Sequence, residues 1–328
     1  MNPSLVSIII PCYNEETTIG LLLEAILQQT YPRSAIEVII ADGFSADHTR
    51  ARVTDFHNQH HDLDLRIVDN PKRIIPAALN VALNTARGEI IIRLDAHSMP
   101  EKSYISRCVE ALEQARGDNV GGVWEIRPGG KGWQARAIAA AAAHPLGVGD
   151  ALYRFTRSAG EVDTVPFGAF RKTLIQAVGL FDETLLTNED YEFNVRVRQQ
   201  GGKVWLDPLI RSVYFARPDL ASLARQYWRY GYWKSRMLRR YPKTLRWRQA
   251  LPPLFIASLL GLALLCPWFH PAVWLLAGEI ALYALILWGA SVPVAYSKQD
   301  FSYMIGVPLA MATMHFAWGS GFLWSLLK

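Results

Sequence analysis

Four short clusters carry groups able to bind a charged ligand and move a proton. They are Pro11-Cys12-Tyr13-Asn14-Glu15, Asp42-Gly43, Asp95-Ala96-His97 and Asn188-Glu189-Asp190. The first three follow directly after short β-branched runs, and the fourth opens a helical pattern. Polar and acidic groups at the ends of buried parallel strands mark the edge where open α/β sheets bind nucleotides. Tyr13 can cover a flat base, Glu15 can accept hydrogen bonds from ribose or base, and Asp42 can accept from a uracil-type imide N–H. Asp95 and His97, at i and i+2 on an extended backbone, can point the same way and hold a divalent cation on a diphosphate. Each cluster alone has a plainer explanation: turn chemistry for Asp-Gly, a capping Asp beside a packed His, or acids placed for a helix dipole. Four together are harder to dismiss. The first turn lacks the G-x-G-x-x-G of dinucleotide-binding proteins, which argues against a dinucleotide-dependent oxidoreductase.

The elements that must position these groups alternate. Strands are expected at Val6–Ile10, Ile36–Ala41, Leu65–Val68 and Ile90–Leu94. The intervening helices span Thr17–Gln29, a segment capped by Ser45 or Asp47 and running to Gln59, Pro76–Ala86, and Lys102–Gln114. Repeated strand–helix units imply a mainly parallel, Rossmann-like sheet with right-handed crossovers. After a strand at Val120–Ile126 the rhythm breaks. Loops are expected at Arg127–Gly132 and Gly147–Gly160, helices at Ala135–Ala143 and Thr173–Val178, and strands at Val162–Pro166 and Lys203–Leu206. Asn188 is expected to cap a helix over Glu189–Gln200.

Charge is unevenly placed. After Leu251 the only charged residues are Glu279, Lys298, Asp300 and Lys328. Three apolar stretches, Leu251–Phe269, Ala272–Val292 and Phe301–Leu327, are each near the ~20 residues that cross a bilayer. Trp268, Trp274, Trp288 and Trp324 sit near their ends, like an interfacial belt. Buried helices of a large soluble core are the competing explanation. The net charge of +5 comes largely from Arg217–Arg248, where basic residues interleave with Tyr227, Trp228, Tyr230, Tyr232 and Trp233. Such a segment beside a span suits anionic headgroups, whereas no nucleic-acid motif accompanies it. The basic residues before the first span predict a cytoplasmic N-terminal domain by the positive-inside rule, and no N-terminal signal is expected. Cys12, Cys108 and Cys266 show no disulfide or zinc spacing. The expected organisation is a catalytic domain over 1–215, basic aromatic interface helices over 216–250, and about three transmembrane helices over 251–328.

With these motifs in this order, the chain resembles the inverting glycosyltransferases of family 2, which have the GT-A fold, over about residues 4–235. Arg93-Leu94-Asp95-Ala96-His97 and His144-Pro145-Leu146-Gly147-Val148-Gly149 most resemble the succinoglycan-type glucosyltransferases of that family. The resemblance implies that Pro11, Tyr13, Glu15 and Asp42 contact the nucleotide. It places Asp95 and His97 at the first and last positions of the metal motif, with His97 standing where the family has Asp. The implied cofactor is Mn²⁺ or Mg²⁺, and an imidazole suits Mn²⁺ better. Asn188-Glu189-Asp190 matches the acceptor-site acidic pair, with Asp190 as the base and Glu189 as a positioning group. Gln226 and Arg229 match a shortened Q-x-x-R-W motif, with Tyr230 in place of Trp; Arg229 would reach a diphosphate or a lipid-carrier phosphate.

The function expected from the resemblance is transfer of a hexose, glucose foremost, from a UDP-sugar to a polyprenyl-diphosphate-linked saccharide. The setting would be bacterial exopolysaccharide or cell-surface polysaccharide synthesis at the inner membrane, by a multi-pass protein. Rivals are a polyprenyl-phosphate glycosyltransferase and a non-catalytic membrane scaffold or receptor. His57 and His61 read as surface residues, and no site is claimed for Glu279 or His315.

Overall fold

The computed structural model describes residues 3–328. In chain order the elements are β1 (Val6–Cys12), α1 (Ile19–Leu27), β2 (Ile36–Asp42), α2 (Thr49–Gln59), β3 (Asp64–Asp69), α3 (Ile75–Thr85), β4 (Ile90–Arg93), β5 (Met99–Pro100), α4 (Tyr104–Glu113) and β6 (Asn119–Pro128). There follow α5 (Trp133–Ala142), α6 (Pro145–Val148), β7 (Gly160–Glu161), β8 (Ala169–Arg171), α7 (Leu174–Val178), α8 (Glu189–Gln199), β9 (Val204–Ala216), α9 (Leu220–Arg240), α10 (Trp247–Leu265), α11 (His270–Lys298) and α12 (Tyr303–Leu326). The chain divides into two compact units. One comprises the described residues up to Glu125 together with Thr156–Tyr214; the other comprises Ile126–Phe155 and Phe215–Lys328.

The first unit is built on a sheet in the order β3-β2-β1-β4-β8-β6-β9-β5, with β7 also on β9. β3, β2, β1 and β4 are mutually parallel. The pairs β4–β8, β6–β8, β5–β9 and β7–β9 are antiparallel. β2 is buried along its whole length, as expected of a strand covered on both faces. Ile8, Ile10, Val38 and Ile40 join Leu22, Leu23 and Ile26 of α1 in the core, while α3 packs on β1 and β2. One charged residue interrupts this apolar run. Glu37, fully buried, accepts from Ser7 Oγ, from Gly88 N at 3.1 Å, and from the Arg87 backbone N and Nε at 2.5 and 2.9 Å. It also pairs with Arg66. A carboxylate taken from water needs such partners to be tolerated, and these tie β1, β2, β3 and the start of β4 together.

Three local expectations are corrected. Val162–Pro166 is not a strand: β7 and β8 flank it, and its side chains turn to α8. Thr164 Oγ1 accepts from Asn194 Nδ2 at 3.0 Å, and Asp163 Oδ2 from Tyr191 Oη at 3.1 Å. The closing strand is far longer than Lys203–Leu206, because β9 serves β6, β5 and β7 in turn. Neither Ser45 nor Asp47 takes the cap position of α2, which falls on His48: Asp47 accepts from Thr49 N at 3.0 Å, one residue ahead of the cap, and Ser45 is drawn to Asp42.

In the second unit α9 and α12 meet backbone to backbone. A Cβ on Gly231 would lie 2.1 Å from Trp318 O, and one on Gly321 would lie 2.2 Å from Trp228 O. Arg136 pairs with Asp300 at 3.1 Å, and Asp150 pairs with Arg246 at 2.6 Å and with Arg248. All three apolar stretches are helical. Two helices, α10 and α11, are long and apolar enough to cross a membrane by length and composition. α12 does not reach that hydropathy, so two of the three expected stretches meet this test and the third does not. Its Gly, Ser and His content serves packing, with Gly306, Val307, Ala310, Met311, Met314 and Gly319 buried. On α10 and α11, Leu260, Leu264, Leu282 and Leu285 are exposed.

Replacing Glu37 by Ala leaves Arg66 and Arg87 without their buried counter-charge. A loss of about 1–3 kcal/mol is expected from the buried donors left unpaired, measured as a lower urea midpoint for the detergent-solubilised chain.

Candidate active site

The parallel strands deliver their C-terminal ends side by side. Cys12 pairs with Asp42 across β1 and β2, and Ile9 pairs with Arg93 across β1 and β4. Pro11 lies within β1, and Tyr13 follows it with its ring half-exposed. Gly43 permits this: a Cβ there would sit 3.1 Å from Tyr13 Cδ2.

The loops after β1 and β2 are clamped together. Asn14 adopts φ 54°, donating its backbone N–H to Ser45 Oγ and accepting from Ala46 N, both at 2.8 Å. Glu15 N donates to Thr49 Oγ1 at 2.8 Å. Asp42 is buried and already accepts from Ser45 Oγ at 2.5 Å, Ser45 N at 3.1 Å and Arg50 Nε at 2.6 Å. Arg50 continues to Asp69. Asp42 therefore acts in a charged chain whose outer members are Arg50 and Asp69. Phe44, next to it at φ 59°, exposes its ring beneath the guanidinium groups of Arg50 and Arg73.

The centre of the site is a residue to which the sequence reading gave no role. Arg93, the last residue of β4, is only 4% exposed. Its Nη2 donates to Asp95 Oδ1 at 3.2 Å and to Glu189 Oε1 at 2.8 Å. One guanidinium thus joins the Asp95 turn to the first turn of α8, across 96 residues of chain. The available signal was an arginine ending an otherwise apolar strand, where a buried charge demands partners.

Glu189 is buried, and that burial pushes its carboxyl up to about 7, against the opposing pull of Arg93. Asp190 is likewise raised by burial, again opposed by Arg93 and by the Tyr191 N–H, which donates to Asp190 Oδ1 at 2.7 Å. Asp95 adds to the upward push on both. The structure therefore gathers Asp95, Arg93, Glu189 and Asp190 into one electrostatic cluster.

His97 Nδ1 lies 3.1 Å from Glu15 Oε1, linking this turn to the loop after β1. Asp95 Oδ2 has no hydrogen-bond partner among the described residues, and the side chain is 27% exposed. Among the described residues no three His, Cys, Asp or Glu side chains form a closed metal site. Asp95 would offer one accessible carboxylate oxygen and His97 an imidazole to a divalent cation that took its remaining donors from outside the chain, and these donor types fit such an ion. Gln226 and Arg229 lie on α9, in the second unit, where Gln226 Nε2 donates to Tyr230 Oη at 2.9 Å.

Comparison with known proteins gives a consistent picture. The sequence profile described as Glycosyl transferase family 2 matches residues 7–179. The succinoglycan biosynthesis protein ExoA of Rhizobium meliloti (strain 1021) is 31% identical over 98% of this chain and 94% of its own. A protein of Methanococcus voltae, named as a dolichyl N-acetyl-α-D-glucosaminyl phosphate 3-β-D-2,3-diacetamido-2,3-dideoxy-β-D-glucuronosyltransferase, is 28% identical over 74% of this chain and 76% of its own. Among solved structures, the mannosyltransferase PcManGT of Pyrobaculum calidifontis, in complex with GDP-Man and Mn²⁺, superposes with a TM-score of 0.66. At 22% identity it covers 95% of this chain and 88% of its own, and it shares the GT-A-like fold.

Arg93→Met removes the positive charge that favours the ionised forms of Glu189 and Asp190. Both carboxyls should then titrate higher, Glu189 by about one unit or more, as read by ¹³C NMR of labelled carboxyl carbons.

Proposed function

The chain belongs to glycosyl transferase family 2, and from that premise we propose a membrane-anchored inverting hexosyltransferase acting on a lipid-linked saccharide. The donor is a UDP-hexose, UDP-glucose foremost. The acceptor is a polyprenyl-diphosphate-linked sugar in bacterial exopolysaccharide or cell-surface polysaccharide synthesis. The observation that carries this reading is the Arg93 bridge between Asp95 on the donor side and Glu189-Asp190 on the acceptor side.

In this reading Pro11, Tyr13, Glu15 and Asp42 hold the nucleotide. Asp95 and His97 would hold a divalent cation, Mn²⁺ or Mg²⁺, which would supply positive charge at the departing diphosphate. Asp190 takes the proton of the acceptor hydroxyl. The hydroxyl oxygen bonds to the anomeric carbon from the face opposite the diphosphate. The sugar–phosphate C–O bond breaks, and its electron pair leaves with the nucleoside diphosphate. Glu189, fixed by Arg93, keeps Asp190 in position. A base works only when ionised, so transfer falls as the pH drops through the Asp190 pKa. Burial raises that pKa above the ordinary carboxylate value of about 3.9.

Membrane anchoring is supported by α10 and α11, whose leucines face outward, and by the basic residues just before α10. Exposed apolar area of that kind calls for a partner surface. Those same basic residues favour a cytoplasmic catalytic unit, and Gln226 and Arg229 on α9 are assigned to diphosphate or carrier-phosphate contact.

The test is transfer by detergent-purified protein from UDP- and GDP-sugars to short-chain polyprenyl-diphosphate-linked sugars and to polyprenyl phosphate, read by mass spectrometry. Asp190→Asn should reduce transfer about 10²–10⁴-fold while donor affinity stays within about twofold. A phosphate acceptor is already ionised and needs no base, so substantial turnover by Asp190→Asn would shift the reading to polyprenyl-phosphate glycosylation. Donor turnover absent from wild type, or surviving Asp95→Ala, would overturn the catalytic assignment.

A further inference from the structure

Asn188 does not cap α8 as its position led us to expect. Its backbone is left-handed, at φ 70° and ψ 23°, and its side chain makes no bond to the first turn. Its Nδ2 is buried with no hydrogen-bond partner among the described residues. Glu189 and Asp190 follow it directly. Beside the same acid pair, the deeply buried Arg93 also keeps Nε and Nη1 without partners while Nη2 holds Glu189. Leaving a buried donor unpaired costs about 1–3 kcal/mol. The unpaired amide of Asn188, adjoining the acid pair in the chain, calls for an oxygen that arrives from outside.

The surrounding charge selects that oxygen. Glu189 and Asp190 directly follow Asn188, so a phosphate unaccompanied by a cation would be repelled at the amide. A neutral sugar hydroxyl can accept from an amide and donate to a carboxylate at once. We propose that Asn188 Nδ2 donates to a hydroxyl of the acceptor sugar, neighbouring the hydroxyl that Asp190 deprotonates. This rests on the glycosyl-transfer reading above and adds a residue that selects the acceptor.

A purely conformational role has a different signature. Asn tolerates the left-handed region better than most residues, but glycine adopts it more readily still. Asn188→Gly therefore preserves the turn and removes only the amide, while Asn188→Asp keeps the shape, replaces the amide by a carboxyl and adds an acid beside the pair.

The probe is whichever short-chain polyprenyl-diphosphate-linked sugar the wild type turns over fastest, together with its monodeoxy analogues. Both variants should raise the acceptor KM about tenfold and leave the donor KM within about twofold. One deoxy analogue should lose the same factor with wild type and nothing further with Asn188→Gly. A wild-type acceptor KM in Asn188→Gly, or deoxy losses that simply add to the mutational loss, would overturn the Asn188 assignment alone. Absence of transfer to every probe by wild type would overturn it together with the reading on which it rests.

Discussion

A guanidinium deep inside a protein must find negative partners or destabilise the fold, and in the first unit of this chain that requirement organises the site. Arg93 ends β4 with almost no exposure and divides its Nη2 between Asp95 and Glu189. The sheet is thereby joined to the first turn of α8. The same pairing decides protonation: burial raises both carboxyls of the acid pair, and the guanidinium limits the rise. A carboxyl held up by burial but still able to ionise suits proton abstraction near neutral pH.

Around this centre the loops after the parallel strands are held by one another. The backbones of Asn14, Phe44 and Arg73 are all left-handed, and each follows one of the first three strands. Such conformations cost energy for non-glycine residues and persist only where neighbours fix them. Here the neighbours are visible: Ser45, Ala46 and Thr49 bond the Asn14–Glu15 segment, and Arg50 and Arg73 flank Phe44. The edge is therefore held in place by the chain itself, which would lower the ordering cost of binding a ligand there.

The second unit solves a different problem. Glycines at the α9–α12 crossing let the two backbones touch, and charge pairs such as Arg136–Asp300 and Asp150–Arg246 join its segments. α12 consequently spends its apolar and small residues on packing, whereas α10 and α11 leave large apolar side chains outside. Composition already sets α12 apart by its lower hydropathy, and burial against its neighbours separates it further.

The amino-acid order alone determined the parallel half of the sheet, because β-branched runs and 3.6-residue spacing are local signals. It also placed Asp42, Asp95 and the Glu189-Asp190 pair, since these stand at the ends of elements that could be located. Tertiary structure decided the rest. The short strands β7 and β8 carry too few residues for any period, and Val162–Pro166 lost its strand to hydrogen bonds with α8. The link from Arg93 to Glu189 spans 96 positions, and no local pattern encodes a contact at that separation. Asn188 looked like an ordinary cap because capping preference is a property of residue type. Its left-handed turn and unpaired amide depend on what surrounds it, and only the folded chain supplies those surroundings.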